Sequence, residues 1–247
     1  MSLYYRTKGV ILKKDDRSEA DRVFTVFTNE FGKLDVVARA VRKINSKLRA
    51  GIDICHLSEI EFIQGKFYKT LTDSSVIERF SNISQHPEKL NTYCKVTELI
   101  DRYVNGQEKD EGIFNLLNET LTRLNSQTSP SLIYHHFFWN FFSTLGYRPE
   151  IYKCAACREK LNPYSIYFSN KEGGVICKNC LSSDREAKKI NSDVVKVIRL
   201  FLKNDWQVIS KLKIDKLSQE LLEKVSRDYN LYMLSSYSFN KGILQTV

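Results

Sequence analysis

Four cysteines arranged in two pairs constrain this chain more than any other feature of its sequence. The pairs read C-A-A-C and C-K-N-C, and they comprise Cys154, Cys157, Cys177 and Cys180. Two C-x-x-C pairs at this separation are typical of a four-thiolate zinc site, because each pair turns two sulfurs toward one point. A closed set of four thiolates leaves no coordination position for a substrate. The pattern therefore predicts one structural zinc ion and not a catalytic one.

The alternative for these cysteines is two disulfides, which would need an oxidising compartment. The chain opens M-S-L-Y-Y-R-T-K-G, without the apolar segment of a signal peptide. The longest nearly uncharged stretch, residues 126–145, contains His135 and His136 and is a poor candidate for a membrane span. We therefore expect a cytoplasmic protein with reduced thiols and no membrane partner. The other cysteines, Cys55 and Cys94, are expected to be buried as small hydrophobic side chains.

The chain is basic, with 38 Lys and Arg against 29 Asp and Glu and a formal net charge of +9. A balance of this kind predicts an anionic partner, such as nucleic acid, an acidic protein tail or a membrane headgroup. The alternative is that the charge serves solubility alone.

The first part of the chain has the composition of β-structure. Five β-rich segments are separated by turn-forming residues, and they span residues 6–14, 22–28, 34–41, 52–63 and 67–77. Five short strands with these connections predict a five-stranded OB-fold barrel over residues 1–80. The pattern leaves an SH3-like barrel open as the alternative.

After residue 80 the apolar residues recur at helical spacing. Segments 87–104, 113–124, 131–145, 192–202 and 217–233 are predicted as helices. Ser192 is the expected N-cap of one of them, and His135 and His136 are expected in the core of another. The fold class is therefore α+β: a barrel, then an α-helical domain over residues 81–247 with a zinc ribbon inserted at about 150–182.

A cluster of cations follows the third predicted strand. Residues 39–49 contain no acidic residue and carry the five predicted DNA-binding side chains, Arg39, Arg42, Lys43, Lys47 and Arg49. Cations packed so closely repel one another, and a bound polyanion relieves that repulsion. Loops on OB barrels also hold single strands. The alternative is a mobile, solvated surface loop.

Aromatic rings in the barrel are candidates for stacking on bases. The candidates are Tyr4, Tyr5, Phe24, Phe27, Phe62, Phe67 and Tyr68. Most of them are expected in the core, because a small barrel needs large side chains inside. Phe67 and Tyr68 are adjacent and would point to opposite faces of a strand, so at most one of them is expected to face outward.

The sequence contains none of the common catalytic motifs. P-loop, G-x-G-x-x-G, G-x-S-x-G and H-E-x-x-H patterns are all missing. We therefore expect a binding protein and not an enzyme.

Several quoted segments together resemble the RecO family of bacterial DNA-repair proteins. They are K-G-V-I-L-K, E-A-D-R-V-F-T-V-F-T, F-G-K-L-D-V-V-A-R-A-V-R-K, S-K-L-R-A, L-G-Y-R-P, C-A-A-C and G-G-V-I-C-K-N-C. The resemblance covers most of the chain. Two positions depart from the family pattern, because Ala40 and Arg158 stand where glycine is common.

The resemblance implies a recombination mediator associated with the nucleoid. Such a protein binds single- and double-stranded DNA and anneals complementary strands. It acts on DNA coated by single-strand-binding protein (SSB), whose acidic C-terminal tail docks on the helical region, and it works with RecR to load RecA.

An RNA-binding factor of ribosome assembly or translation is the main alternative, because OB-folds and zinc ribbons also occur there. A zinc-dependent nucleic-acid enzyme is a second alternative, which the four regularly spaced cysteines disfavour.

Overall fold

A computed structural model describes residues 3–126 and 129–244, with side chains described through Ser236. The chain forms two compact units, Met1–Tyr134 and His135–Val247. Within the described ranges, no helix combines the length and apolar character needed to cross a membrane. The domain boundary expected from the sequence, between residues 80 and 81, stays a prediction.

The first unit opens with a closed five-stranded barrel. Its strands are β1 Tyr4–Asp16, β2 Arg22–Thr28, β3 Gly32–Ala38, β4 His56–Gln64 and β5 Lys69–Arg79. The order around the barrel is β1-β2-β3-β5-β4, and β4 returns to β1. All pairs are antiparallel except β3 and β5, which run parallel. This is the OB-type arrangement, and it confirms the predicted fold over the SH3-like alternative.

The long first strand makes this closure possible because it serves two neighbours. Residues Tyr4 to Val10 pair with β4, and residues Gly9 to Asp16 pair with β2. A register shift between Ile11 and Lys13 bends the strand where it changes partner. Gly9 lies at this crossing, where a Cβ would come within 2.4 Å of Val26. The Val26 side chain therefore packs against β1 here only because residue 9 has no side chain.

The barrel has an apolar core. Its buried cluster comprises Ile11, Phe24, Val26, Leu34, Val36, Ala38, Val41, Ile52, Ile60, Phe62 and Leu71. Helix α2 (Pro87–Tyr103) packs against β1, and the hydroxyl of its buried Tyr93 donates to the carbonyl oxygen of Ile11.

Three further helices belong wholly or partly to the first unit. They are α1 Ser81–Gln85, α3 Glu111–Ser126 and α4 Pro130–Thr144. The division between the two units falls inside α4. The predicted helices at 87–104, 113–124 and 131–145 are confirmed to within about two residues at each end.

The second unit combines a small sheet with helices. Its elements are β6 Ile166–Ser169, β7 Gly174–Cys177, β8 Lys188–Ile190, α5 Ser192–Lys203, α6 Trp206–Ile209 and α7 Lys216–Leu244. The sheet order is β7-β6-β8. Strands β6 and β7 form a hairpin between the cysteine pairs, within the predicted zinc ribbon. Strand β8 and helix α6 were not predicted, because three or four residues carry too little periodicity.

An aromatic cluster anchors the sheet to the helices of this unit. Trp139 of α4 is fully buried, and its ring centroid lies 5.8 Å from that of Phe168 on β6 and 5.4 Å from that of Tyr229 on α7. His135 and His136 are buried in the same helix, as expected. The ribbon is thus attached to a rigid core.

Two local predictions were wrong. The N-cap of α5 is Asn191, not Ser192, because the Asn191 side chain accepts the backbone N–H of Val194 at 2.9 Å. Cys55 is buried as expected, but Cys94 is exposed, because it lies on the solvent side of α2.

Candidate metal centre and nucleic-acid interface

The four cysteines of the two C-x-x-C pairs converge on one point. Their sulfur atoms all lie within 4.8 Å of one another, and the Cys157 and Cys177 sulfurs are 3.9 Å apart. Four thiolates at about 2.3 Å from one tetrahedral zinc ion would lie about 3.8 Å apart. This group, hereafter the cysteine cluster, could hold a metal ion, and its donor set is consistent with zinc.

Backbone hydrogen bonds position the first pair. The N–H of Cys154 donates to the Glu159 carbonyl at 2.9 Å, and the N–H of Arg158 donates back to the Cys154 carbonyl at 2.9 Å. Arg158 adopts a left-handed φ of +66° to close this turn. That conformation explains why a glycine is suited to this position, since a side chain there is strained.

The two pairs are joined by β7. The backbone N–H of Cys177 donates to the Cys154 sulfur at 3.3 Å, and the N–H of Ala155 donates to the Val175 carbonyl at 2.8 Å. Gly174 lies directly against Glu150, whose carbonyl oxygen would be 2.2 Å from a Cβ at that position. The G-G-V-I-C segment therefore needs glycine so that β7 can approach the first pair.

The thiol chemistry suits a bound cation. Burial raises the pKa of Cys154, but hydrogen bonds from the backbone N–H groups of Cys157 and Cys177 bring that pKa down to about 6. Hydrogen bonds with the sulfurs of Cys157 and Cys177 raise the pKa of Cys180 to about 12. Four sulfurs this close cannot all be thiolates unless a cation balances them, which is the role that a metal ion fills.

Residues 42–49 of the predicted cation cluster, hereafter the basic segment, are held against the barrel. Residues Lys47–Ala50 form a 3-10 turn, and the Ser74 hydroxyl on β5 donates to the Leu48 carbonyl at 3.1 Å. Gly51 lies so close to β5 that a Cβ would be 2.0 Å from the Ser74 carbonyl oxygen. The segment is therefore an ordered surface feature of the barrel.

All five predicted cations are exposed, but their surroundings differ. Arg42 forms an ion pair with Asp16 at 3.3 Å and donates to the Ser18 carbonyl at 3.0 Å. Within residues 3–126 and 129–244, Lys43, Lys47 and Arg49 form no ion pair.

A groove of about 470 Å³ lies beside the basic segment. Its lining includes Arg49 and adds Arg79 from the end of β5, together with Asp53 and His56. Arg79 was not predicted from the sequence, because it lies far along the chain and only the folding of β5 brings it to this side of the barrel.

Arg39 does not line this groove. Its side chain instead contacts the connection between β4 and β5. Its Nη2 donates to the Tyr68 hydroxyl at 2.8 Å. The guanidinium of Arg17, from the connection between β1 and β2, lies 4.5 Å from the centroid of the same ring. Arg17 was not predicted from the sequence, because a single arginine in an acidic turn carries no signal of its own.

The aromatic stacking candidates differ in how far they are buried. Only Phe24, Phe27 and Phe62 are buried in the core, so the expectation that most of the seven candidates would be buried was wrong. Tyr5 is half-buried, and Tyr4 and Phe67 are 64% and 82% exposed. Tyr68 is half-buried beneath its two arginines. Of this adjacent pair, only Phe67 faces fully outward.

A closed OB-type barrel with a cationic face, followed by helices and a four-cysteine ribbon, defines a barrel-and-ribbon protein of the kind that handles nucleic acid. Residues 1–80 match the family model described as Recombination protein O N terminal, and residues 88–240 match Recombination protein O C terminal. The chain therefore belongs to the RecO family of DNA repair proteins.

Individual relatives support the same assignment. The chain is 32% identical to the DNA repair protein RecO of Dehalococcoides mccartyi over 86% of its length and 83% of the relative's. It is 30% identical to that of a Roseiflexus species over 93% of its length and 81% of the relative's. It is 26% identical to that of Halalkalibacterium halodurans over 92% of its length and 89% of the relative's.

Proposed function

We propose that this protein is a non-catalytic recombination mediator, which binds single- and double-stranded DNA and anneals complementary strands. The observation that carries the proposal is a set of exposed cations on an OB-type barrel, Lys43, Lys47 and Arg49, which form no ion pair with any residue that the structure describes. Membership of a DNA-repair family supports the same activity. The site of action is the nucleoid.

The mechanism follows from phosphate charge. Two DNA strands repel each other, and a protein that neutralises phosphates releases condensed counterions and reduces that repulsion. Arg39, Arg42, Lys43, Lys47 and Arg49 are the proposed phosphate contacts. Arg42 would contribute least directly, since Asp16 already neutralises it. Because pairing of the strands makes and breaks no covalent bond, the activity requires no catalytic residue and no nucleotide.

The cysteine cluster would hold one structural zinc ion on Cys154, Cys157, Cys177 and Cys180. Bound zinc would supply cross-links between the two C-x-x-C pairs, in a ribbon too small to have a large core of its own. The ion has no proposed part in annealing.

Acting with RecR, the protein would promote RecA loading on SSB-coated single strands. For the acidic SSB tail, which ends in a hydrophobic residue, we propose the cavity of about 280 Å³ in the second unit. Its lining combines the apolar surfaces of Tyr229, Tyr232 and Met233 with two exposed cations, Arg148 and Lys171. An apolar floor beside cations suits a peptide that is both acidic and hydrophobic at its end.

That docking site is testable by itself. Reversing both charges, Arg148→Glu with Lys171→Glu, should weaken binding of a fluorescent SSB-tail peptide at least tenfold. Lys211→Glu, an exposed loop lysine of the same unit, is the control and should leave peptide binding unchanged. Equal peptide affinity in all variants would remove the cavity from the proposal.

The central experiment is annealing of two complementary oligonucleotides coated with SSB, with and without this protein, in the absence of nucleotide. Fast annealing that slows as salt rises is the expected result. No acceleration by a folded, zinc-loaded sample would contradict the mediator function. A preference for structured RNA over single-stranded DNA would favour the RNA-binding alternative.

A further inference from the structure

The connection between β4 and β5 presents a large aromatic ring to solvent. The backbone N–H of Gly65 donates to the Tyr68 carbonyl at 3.1 Å and closes a tight turn, with Lys66 and Phe67 at its tip. Phe67 is 82% exposed, although three phenylalanines of the same barrel are at most 2% exposed. The turn geometry therefore holds Phe67 outside a core that accommodates phenylalanine elsewhere.

Cations surround this ring and its neighbour. The Lys66 Nζ lies 5.4 Å from the Phe67 ring centroid. Arg17 covers the Tyr68 ring at 4.5 Å, and Arg39 is hydrogen-bonded to the Tyr68 hydroxyl. Neither Arg17 nor Arg39 has a carboxylate partner among the residues that the structure describes. Tyr68 thus holds two cations in place, while the Phe67 ring stays open to a ligand.

An open aromatic face beside unneutralised cations matches the two chemical parts of an unpaired nucleotide. The base stacks on the ring, and the phosphates lie near the cations. A duplex buries the faces of its bases in its own stack, so only an unpaired base can use the ring. Phosphate contacts by contrast are available in both forms of DNA.

We propose that Phe67 is a nucleobase-stacking residue, and that Arg17 and Arg39 hold the phosphates on either side of the stacked base. This inference rests on the proposed DNA-binding function and deepens it. The basic segment at residues 42–49 binds the backbone of any strand, whereas Phe67 distinguishes unpaired bases from paired ones.

The test compares three ligands by fluorescence anisotropy: an oligo-dT strand, an abasic strand of the same length, and a blunt duplex. Phe67→Leu keeps an apolar side chain but removes the aromatic face. Its affinity for oligo-dT should fall by about 5- to 100-fold, as expected for the loss of one stacked base. Its affinity for the abasic strand and the duplex should change less than twofold.

Tyr164→Leu is the matched control, because Tyr164 is a 90% exposed aromatic residue that is not among the stacking candidates. This variant should bind all three ligands like the original protein. Both side chains are exposed, so both variants should keep the original melting temperature.

Phe67→Trp adds a direct readout of stacking. The chain has two tryptophans, Trp139 and Trp206, and both lie in the second unit. The introduced indole should be quenched by oligo-dT but not by the abasic strand, and affinity for oligo-dT should match or exceed the original.

Distinct outcomes overturn the inference. An equal loss on oligo-dT and on the abasic strand would mean that Phe67 acts on the backbone and not on bases. Unchanged DNA affinity with slower annealing of SSB-coated strands would mean that Phe67 contacts protein. If the original protein bound no DNA at all, both this inference and the proposed function would fall. Normal DNA binding by Phe67→Leu would overturn the stacking alone.

Discussion

The backbone N–H of Ala40 donates to Oδ1 of Asp21 at 2.8 Å, and Ala40 adopts a left-handed φ of +52°. A second hydrogen bond links the same two segments, because the Arg42 N–H donates to the Ala20 carbonyl at 3.1 Å. These bonds turn the chain sharply after β3 and set the course of the basic segment. Ala40 is one of the two positions where the family resemblance expected glycine, and its φ supplies the physical reason.

We predict that Ala40→Gly stabilises the protein. A left-handed alanine costs about 1–2 kcal/mol, and the greater freedom of unfolded glycine offsets about 0.4–1 kcal/mol of that. The net gain in the free energy of unfolding should be about 0.5–1 kcal/mol, measured by urea denaturation. Ala50→Gly is the control, because Ala50 is exposed and has a negative φ. Ala50→Gly should lower the free energy of unfolding. If Ala40→Gly also lowered it, the argument that Ala40 is strained would be contradicted.

Gly51→Ala should detach the basic segment from β5. The new Cβ would lie 2.0 Å from the Ser74 carbonyl oxygen, and both are constrained backbone positions. We expect a loss of about 1–3 kcal/mol in the free energy of unfolding, together with weaker DNA binding. Ser74→Ala is the comparison variant, because it removes only the hydrogen bond to Leu48 and should cost about 0.5–1.5 kcal/mol. Thermal melting measures the stability of both variants, and fluorescence anisotropy measures their DNA affinity. An unchanged stability of Gly51→Ala would refute the close approach of residue 51 to Ser74.

Cys177→Ser should lower the zinc content and the melting temperature more than it lowers DNA affinity. The substitution removes one of four converging sulfurs, whereas the cations of the basic segment lie in the other unit. Metal content is measured by mass spectrometry, and melting is followed with and without a chelator. Cys94→Ser is the control, because Cys94 is exposed and outside the cysteine cluster. Full zinc retention in Cys177→Ser would count against the site.

Reversing Lys43 and Lys47 to glutamate should weaken binding to single-stranded DNA and flatten its dependence on salt. Each lost phosphate contact should reduce the slope of log affinity against log salt by about 0.7. Lys211→Glu is the control for net charge and should leave that slope unchanged.

Arg42→Ala should weaken binding less than Lys43→Ala or Lys47→Ala, because Asp16 already pairs with Arg42. DNA-binding titrations at several salt concentrations measure the affinity and the salt slope of each variant. Equal slopes in the original protein and the double lysine variant would exclude this segment as the phosphate contact.

Local patterns in the sequence determined most of the elements and the four cysteines that converge in the cysteine cluster. The strand at 22–28 was predicted with its observed ends, because its β-branched and aromatic residues favour extended backbone. Helix α3 was predicted within about two residues, since its apolar spacing depends only on helix geometry. The cysteine cluster was predicted because a C-x-x-C pair needs only a local turn to direct its sulfurs.

Only the tertiary structure decided which side chains act together. Val36 and Lys69 pair in the parallel closure of the barrel, and no local pattern carries that register. Folding of the barrel also brings Arg17 over Tyr68. The pairing of β1, β2 and β3 sets Asp16 against Arg42, and Lys43 has no ion pair among the described residues. Sequence spacing specifies neighbours along a strand or a helix. Contacts across the barrel depend on how separate strands are aligned, and that alignment is set by burial of the whole core.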